Sequence, residues 1–169
     1  MKTEKEKMLS GEVYNCADIE LLNRWHKAKR LQKEYNATLS ENKEQLSNIL
    51  NELIGSKGNN VEINMNCVFL DCNKITIGDF SGIGPGVHIY TVFHSTNPIE
   101  RLPENSTFWK SQTAPVHIGK NVWIGGNSTI LAGVSIGDET TIGAGSVVTH
   151  NIPPRCIAAG NPCRIIRYL

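Results

Sequence analysis

The feature that most constrains this chain is an aliphatic residue at every sixth position. The series runs from Ile77 to Ile89 and, after an interruption, from Ile118 to Val148, and glycine follows the aliphatic residue in most repeats. A period of six fits neither an amphipathic helix nor an alternating strand, but it fits a short strand and a turn. Three such units make one three-sided coil of about 18 residues, and stacked coils pair as parallel strands. The repeat therefore predicts a parallel β-helix, a prism of four or five coils that is roughly 20–25 Å long.

The residues before the repeat have the pattern of two helices. Residues 18–35 place apolar side chains on one helical face, with Asp18 as the N-cap. Thr38 and Glu41 stand at the spacing of a capping box, ahead of a second apolar stripe that stops near Gly55. We expect both helices to pack over the first coil, because an open solenoid end exposes unpaired strand edges. The apolar face of the first helix is predicted to comprise Leu21, Leu22, Trp25, Ala28, Leu31 and Tyr35.

Two segments interrupt or end the repeat. Residues 93–115 are polar, contain three prolines and carry no six-residue signal, so we expect an excursion loop from one corner of the prism. Long loops in compact domains often carry function. The C-terminal tail leaves the repeat at Ile152 and is expected to close the prism with an extended segment. The predicted organisation is a helical cap over residues 1–57 and a β-helix over residues 58–169.

Composition gives few further clues. The formal net charge of +1 offers no general reason to expect a nucleic acid or a membrane surface as partner. The N-terminus is charged throughout, and the chain has no apolar run of the roughly 18 residues needed to span a bilayer. The five cysteines show no CxxC spacing, which is typical of reduced thiols. We therefore expect a cytoplasmic protein.

Three stretches of sequence resemble the hexapeptide-repeat acyltransferases, and in particular the maltose and galactoside O-acetyltransferases. They are the repeat VWIGGNSTILAGVSIGDETTIGAGSVVT with the ending AAGNPCRII, the opening EKEKMLSGEVYNCAD with KRLQKEYNATL, and the segment HIYTVFH. The resemblance covers nearly the whole chain. It implies a left-handed β-helix and a homotrimer with active sites in grooves between neighbouring prisms. It also implies acetyl-CoA as the acyl donor, a sugar hydroxyl as the acceptor, and no metal.

The resemblance also assigns catalytic and acceptor-binding residues. His94, the last residue of HIYTVFH, matches the catalytic histidine and stands where the repeat gives way to the loop. Histidine suits a general base, since its ordinary pKa lets neutral imidazole act near neutral pH. Asn64 matches a position that contacts the acceptor sugar. Asp71 could bond an acceptor hydroxyl or His94, and Asp18 is assigned to the acceptor site as well as to the helix cap.

The contacts to acetyl-CoA are expected to come partly from backbone groups. Gly126 matches a position whose N–H suits the thioester carbonyl, and Ala144 one that holds the pantetheine arm. Thr149 and His150 stand where the family often has Thr-Lys, so one phosphate contact differs. Arg164 and Arg167 match two basic residues near the nucleotide phosphate, and arginine is a natural phosphate partner.

The chain departs from the family in two places. About one coil is absent ahead of Asn64, and with it polar residues that help line the acceptor pocket. The loop lacks the family's glutamate, since Lys110 and its two successors occupy that region. The group that orients His94 is then Glu104, Asp71 or a backbone carbonyl. The acceptor can also be another hydroxyl or amine, as in a polysaccharide precursor or an antibiotic.

Two other readings compete with catalysis of acyl transfer. A trimer that has lost activity with its missing coil would be a CoA-binding scaffold. His88 and His117 occupy the same position in their repeats, and some left-handed β-helix proteins resemble carbonic anhydrases that bind a metal through histidines. Zinc would need three well-placed ligands and an open site. The other features of the chain favour acyl transfer.

Overall fold

Four coils of short parallel strands stack into a three-sided prism in the computed structural model, which describes all 169 residues. The first sheet contains β2 (Ser56–Lys57), β5 (Ile75–Ile77), β10 (Val116–Ile118) and β13 (Ser135–Ile136). The second contains β3 (Glu62–Ile63), β6 (Gly82–Ile83), β11 (Trp123–Ile124) and β14 (Thr141–Ile142), extended by β16 (Cys156–Ala159) and β17 (Arg164–Tyr168). The third contains β4 (Val68–Leu70), β7 (His88–Tyr90), β12 (Thr129–Ile130) and β15 (Val147–Val148). The predicted parallel β-helix is confirmed.

The six-residue series forms the core of the prism. In the second sheet Ile63, Ile83, Ile124 and Ile142 pair in register from coil to coil. The last three of these are 2%, 0% and 0% exposed. Burying an isoleucine side chain contributes about 1.5–3 kcal/mol, so a column repeated on three faces supplies most of the apolar stabilisation. The coils are therefore held together chiefly by apolar packing between residues at equivalent positions of the repeat.

The cap consists of three helices and a short strand. They are α1 (Glu4–Leu9), β1 (Tyr14–Asn15), α2 (Ile19–Ala37) and α3 (Lys43–Leu53). Asp18 is the N-cap of α2, as predicted, because its carboxylate accepts from the N–H groups of Glu20 and Leu21 at 3.0 and 3.3 Å. Leu50 and Leu53 of α3 join the core of the prism and cover its open end.

Two predictions about the cap are wrong in detail. Thr38 does not begin a capping box, since it ends α2 and its hydroxyl donates to the Glu34 carbonyl at 2.8 Å. The next helix starts only after Asn42. Trp25 is 43% exposed and not buried on the apolar face. The short helix α1 was not predicted, and it carries its own capping box.

The excursion leaves the prism after β7, the third strand of the second coil. It contains β8 (Val92–Phe93), α4 (Pro98–Arg101) and β9 (Lys110–Thr113). Strand β9 pairs antiparallel with β8 on one side and with β1 of the cap on the other. This three-stranded sheet places His94, which directly follows β8, between the prism and the cap. None of the helices combines the length and the hydrophobicity that a membrane-spanning segment requires.

Candidate active site

A groove of about 1060 Å³ runs between the cap helix α2 and the first coil. Its prism side is formed by residues 68–72, and its far end by the excursion sheet. The lining is mostly apolar, and the polar side chains that converge in it include His94, Asp71 and Ser111. A concave apolar site with a few convergent polar groups is the usual form of a small-molecule site.

His94 has a defined orientation at one end of the groove. Its Nδ1 lies 2.9 Å from the carbonyl oxygen of Lys110, and its ring meets the Trp109 ring edge-on at 5.2 Å between centroids. A carbonyl only accepts hydrogen bonds, so Nδ1 carries the proton and donates it to Lys110. The neutral ring then has its lone pair on Nε2. The group that orients His94 is therefore a backbone carbonyl, that of Lys110. Neither Glu104 nor Asp71, the other two candidates for this role, bonds the ring.

Asp71 lies in the same groove as His94. Burial raises the pKa of its carboxyl group, and the nearby Arg24 guanidinium partly offsets that rise. Arg24 also lines the groove, yet it makes no ion pair or hydrogen bond within the chain. An acid kept partly desolvated in a cleft is a frequent property of functional carboxylates.

The other two acceptor-site candidates lie outside this groove. Asp18 has its carboxylate engaged at the N-terminus of α2. Asn64 is exposed at the corner that follows β3, and its Oδ1 accepts from the Met65 N–H at 2.8 Å. The groove of a single chain therefore combines His94 with Asp71 and not with Asn64 or Asp18.

The backbone candidates stack at one corner of the prism. Gly126 and Ala144 each stand two residues after paired isoleucines of the second sheet, Ile124 and Ile142. Asn64 belongs to the same corner one residue earlier in its own coil. The N–H groups of Gly126 and Ala144 donate to no group of the chain, whereas Gly125 N–H bonds the Ile142 carbonyl at 2.8 Å. This corner therefore has two backbone N–H groups without an acceptor in the chain.

The two C-terminal arginines share one side of the edge strand. Strand β17 pairs antiparallel with β16, so Arg164 lies opposite Ala159 and Arg167 opposite Ile157, with a register shift between them. Residues two apart on β16 point to the same side, and the shift brings residues three apart on β17 to that side as well. Thr149 and His150 follow β15, where the threonine hydroxyl is 2.7 Å from His150 Nδ1.

His88 and His117 lie on different faces of the prism. His88 is on the third sheet, where its Nδ1 is 2.5 Å from the Tyr90 hydroxyl, and His117 is exposed on the first sheet. The chain has no group of three or more His, Cys, Asp or Glu side chains placed to hold a metal ion.

Several groups around His94 were not predicted. A buried polar network lies beneath the excursion sheet, where Asn73 Nδ2 donates to Thr113 Oγ1 at 2.9 Å and Thr113 donates to the Met8 carbonyl. Tyr14 lies buried beside Cys72, and burial raises the pKa of both groups. These contacts have no signal in the sequence, because they depend on how the cap docks. Trp109 could have been suspected as an aromatic residue in a polar loop.

Comparisons with known proteins agree with this architecture. Residues 7–58 match the maltose acetyltransferase hexapeptide capping motif, and residues 115–150 match the hexapeptide repeat of succinyl-transferase. Nodulation protein L of Rhizobium meliloti is 41% identical over 97% of this chain and 98% of its own length. That alignment spans 184 positions, more than the 169 residues of this chain. Some segments of the relative therefore have no counterpart in this chain.

Two solved structures are similar over almost the whole chain. A maltose O-acetyltransferase from Clostridium difficile 630 has a TM-score of 0.89 and 40% identity, covering 99% of this chain and 98% of its own. A galactoside acetyltransferase in complex with coenzyme A has a TM-score of 0.84 and 30% identity, covering 99% and 92%. These likenesses confirm the left-handed β-helix and define an acyltransferase. The chain belongs to the maltose/galactoside O-acetyltransferase family of hexapeptide-repeat acyltransferases and is an acetyltransferase.

Proposed function

We propose that this chain moves an acetyl group from acetyl-CoA to a hydroxyl of a sugar or a related acceptor, with His94 as general base. The observation that carries the proposal is the hydrogen bond from His94 Nδ1 to the Lys110 carbonyl. It fixes the tautomer whose Nε2 can accept a proton, at the end of a groove large enough for a saccharide. The family supports acetyl transfer, and the coenzyme A bound to the galactoside acetyltransferase supports the donor.

The reaction proceeds by direct attack. The acceptor hydroxyl, held by Asp71, gives its proton to His94 Nε2 as its oxygen bonds the thioester carbon. The carbonyl electrons move to oxygen, and the resulting oxyanion accepts from the Gly126 N–H, which has no partner in the chain. When the carbonyl re-forms, the C–S bond breaks and the CoA thiolate takes the proton from the imidazolium. No acyl-enzyme is formed.

The coenzyme lies along the corner that carries Gly126 and Ala144. The Ala144 N–H, also free, serves the pantetheine arm. Arg164 and Arg167, on one side of the edge strand, are suited to a phosphate. Thr149 and His150 complete this end of the site as weaker polar contacts. The two side chains are hydrogen-bonded to each other where the family often has a threonine followed by a lysine.

We also propose that the enzyme is a homotrimer with its active sites between neighbouring prisms. The exposed corner of one chain, with Asn64 and Gly126, then approaches the groove of the next chain and places Asn64 beside the acceptor. Asp18 is left outside the proposed acceptor site, because its carboxylate already caps α2. Light scattering should give three times the chain mass of 18.7 kDa.

The test is thiol release from acetyl-CoA over a panel of sugars and other hydroxyl or amine acceptors. His94→Ala should lower kcat by roughly 10²–10⁴, the usual contribution of a general base. His117→Ala is the matched control, because it removes an exposed histidine from another face of the prism. It should leave turnover unchanged.

Three outcomes separate the alternatives. Acceptor-dependent release that collapses only in His94→Ala supports the transferase mechanism. CoA binding without release on any acceptor would instead favour a scaffold that binds the coenzyme. Turnover that survives His94→Ala would remove His94 from the mechanism while leaving the acetyltransferase assignment in place.

A further inference from the structure

The positive charge of this nearly neutral chain is concentrated on the cap helix α2. Residues 21–33 contain no acidic residue, although the whole chain has 17 lysines and arginines against 16 acids. The five cations of this stretch are Arg24, Lys27, Lys29, Arg30 and Lys33. Charge segregated on one element creates a local field that the net charge conceals.

Three of these cations line the groove that contains His94. They are Arg24, Lys27 and Lys29, and the acids that line the same groove are Asp71 and Glu52. Lys27 is neutralised by Glu52 at 2.6 Å. Arg24 makes no ion pair or hydrogen bond, although its charge is close enough to Asp71 to lower the pKa of that carboxyl group. Its guanidinium donors are therefore available to a ligand in the groove.

Trp25 adds an aromatic surface next to these charges. It lines the groove, remains 43% exposed, and carries the Lys29 ammonium 4.0 Å from the centre of its ring. Because the Lys29 ammonium covers one face of the ring, a ligand would stack on the opposite, apolar face. A sugar ring, which has an apolar C–H face and polar edges, is complementary to such a surface.

The remaining walls offer little to a neutral polyhydroxyl compound. The Gln32 side chain, which also lines the groove, is already bonded to both backbone groups of Phe69 at 3.0 and 3.2 Å. Most other lining residues are apolar. Apart from the reacting groups His94 and Asp71, the polar side chains of the groove that remain free to bind a ligand are therefore mainly cationic.

We propose that the acceptor is an acidic saccharide, whose carboxylate or phosphate group is bound by Arg24 while its ring packs on Trp25 and a hydroxyl reaches His94. Arginine binds both anions through two parallel hydrogen bonds. This inference rests on the proposed function, since it names the acceptor of that same site. Charge complementarity between the free cations and the acceptor is the argument for it.

The test compares neutral and anionic acceptors on the intact enzyme at saturating acetyl-CoA. Methyl glucoside is the neutral acceptor, and methyl glucuronide and glucose 1-phosphate are the carboxylate and phosphate arms. At low salt we expect kcat/KM for at least one anionic acceptor to exceed that for the neutral one by roughly tenfold or more, as a charge-assisted contact would give. This ratio should fall towards one in about 0.5 M salt, where charges are screened.

Charge reversal on α2 provides the matched pair of variants. Arg24→Glu should abolish the preference for the anionic acceptor, whereas Lys33→Glu, an equal change outside the groove, should retain most of it. Equal efficiency with all three acceptors, or a preference that survives Arg24→Glu, would overturn the acidic acceptor and leave the acetyltransferase intact.

Binding tests the inference even if no acceptor in the set is turned over. Saturation-transfer NMR should detect glucose 1-phosphate or methyl glucuronide on the native protein and not on Arg24→Glu. Binding that shows this dependence without turnover would uphold the anion site and contradict the proposed transfer. Absence of binding by both anionic saccharides would overturn the inference, whatever the enzyme does with neutral sugars.

Discussion

At the scale of single residues, the ionised carboxylate of Asp71 is partly desolvated in the folded protein, which lowers the free energy of unfolding. Burial raises the pKa of its carboxyl group, so the ionised form destabilises the folded state. The folded protein thus binds this proton more tightly than the unfolded chain. The stabilisation that comes from this tighter proton binding is complete below the ordinary pKa of about 4. It is lost as the pH rises through the pKa of Asp71 in the folded protein. Asp71→Asn removes the charge and keeps the shape.

We expect Asp71→Asn to be more stable than the native protein above that pH window, and less active wherever the native carboxyl group is ionised. Loss of a charged hydrogen bond to the acceptor should lower kcat/KM by roughly 10–100-fold. Urea unfolding at acid and neutral pH, together with acceptor kinetics, measures both effects. Glu104→Gln is the control, because this exposed loop carboxylate bonds no group of the chain. Reduced stability of Asp71→Asn at neutral pH would show that the carboxylate serves the fold.

At the scale of elements, the cap and the excursion sheet form one unit around His94. Strand β9 carries the Lys110 carbonyl and is paired to β1 of the cap. Beneath it Thr113, 3% exposed, links Asn73 to the Met8 carbonyl. The orientation of the base therefore depends on the N-terminal segment, which is distant from it in sequence.

The variant Thr113→Val should weaken the docking of the cap on the excursion sheet and leave the prism unchanged. The change keeps the side-chain shape but removes the hydrogen bonds of the Thr113 hydroxyl to the Asn73 amide and to the Met8 carbonyl. These two groups keep only the longer bonds from Asn73 Nδ2 to the Met8 and Leu9 carbonyls, both 3.4 Å, so we expect a cost of about 1–3 kcal/mol. We expect kcat to fall while the KM for acetyl-CoA stays the same, since the prism corner is untouched. Thr113→Ser retains the hydroxyl and should restore kcat. Equal kinetics in both variants, with Thr113→Val destabilised, would restrict the network to a structural role.

Features that depend on residues close together in the sequence were predicted well. Features that depend on contacts between distant segments were predicted poorly. The repeat specifies its coils locally, so strands β5 to β7 and β10 to β15 were predictable from spacing. The first coil keeps the spacing at Lys57, Ile63 and Phe69, but it lacks the aliphatic and glycine signal at its start. The Lys110 carbonyl could not be identified in advance, because any residue has a carbonyl and only strand pairing selects this one.

At the scale of the whole molecule, the glycines at the corners set how closely the coils approach. A Cβ added at Gly125 would lie 2.4 Å from the Ala144 nitrogen, which is backbone and cannot move away alone. The φ angle of Gly125 is not in the left-handed region, so the requirement for glycine is spacing and not conformation. Because each coil rests on the next, a displacement at one corner must be shared by all three sheets.

Gly125→Ala should therefore destabilise the prism far more than an average glycine substitution. Forcing a methyl group into a packed contact costs about 1–3 kcal/mol, which lowers the melting temperature by roughly 5–10 °C in a chain of this size. Gly55→Ala is the matched control, since nothing lies within 4 Å of its added Cβ. It should be neutral or slightly stabilising because it restricts the unfolded chain. Calorimetry on both variants measures the difference, and equal melting temperatures would mean that the coils can move apart at little cost.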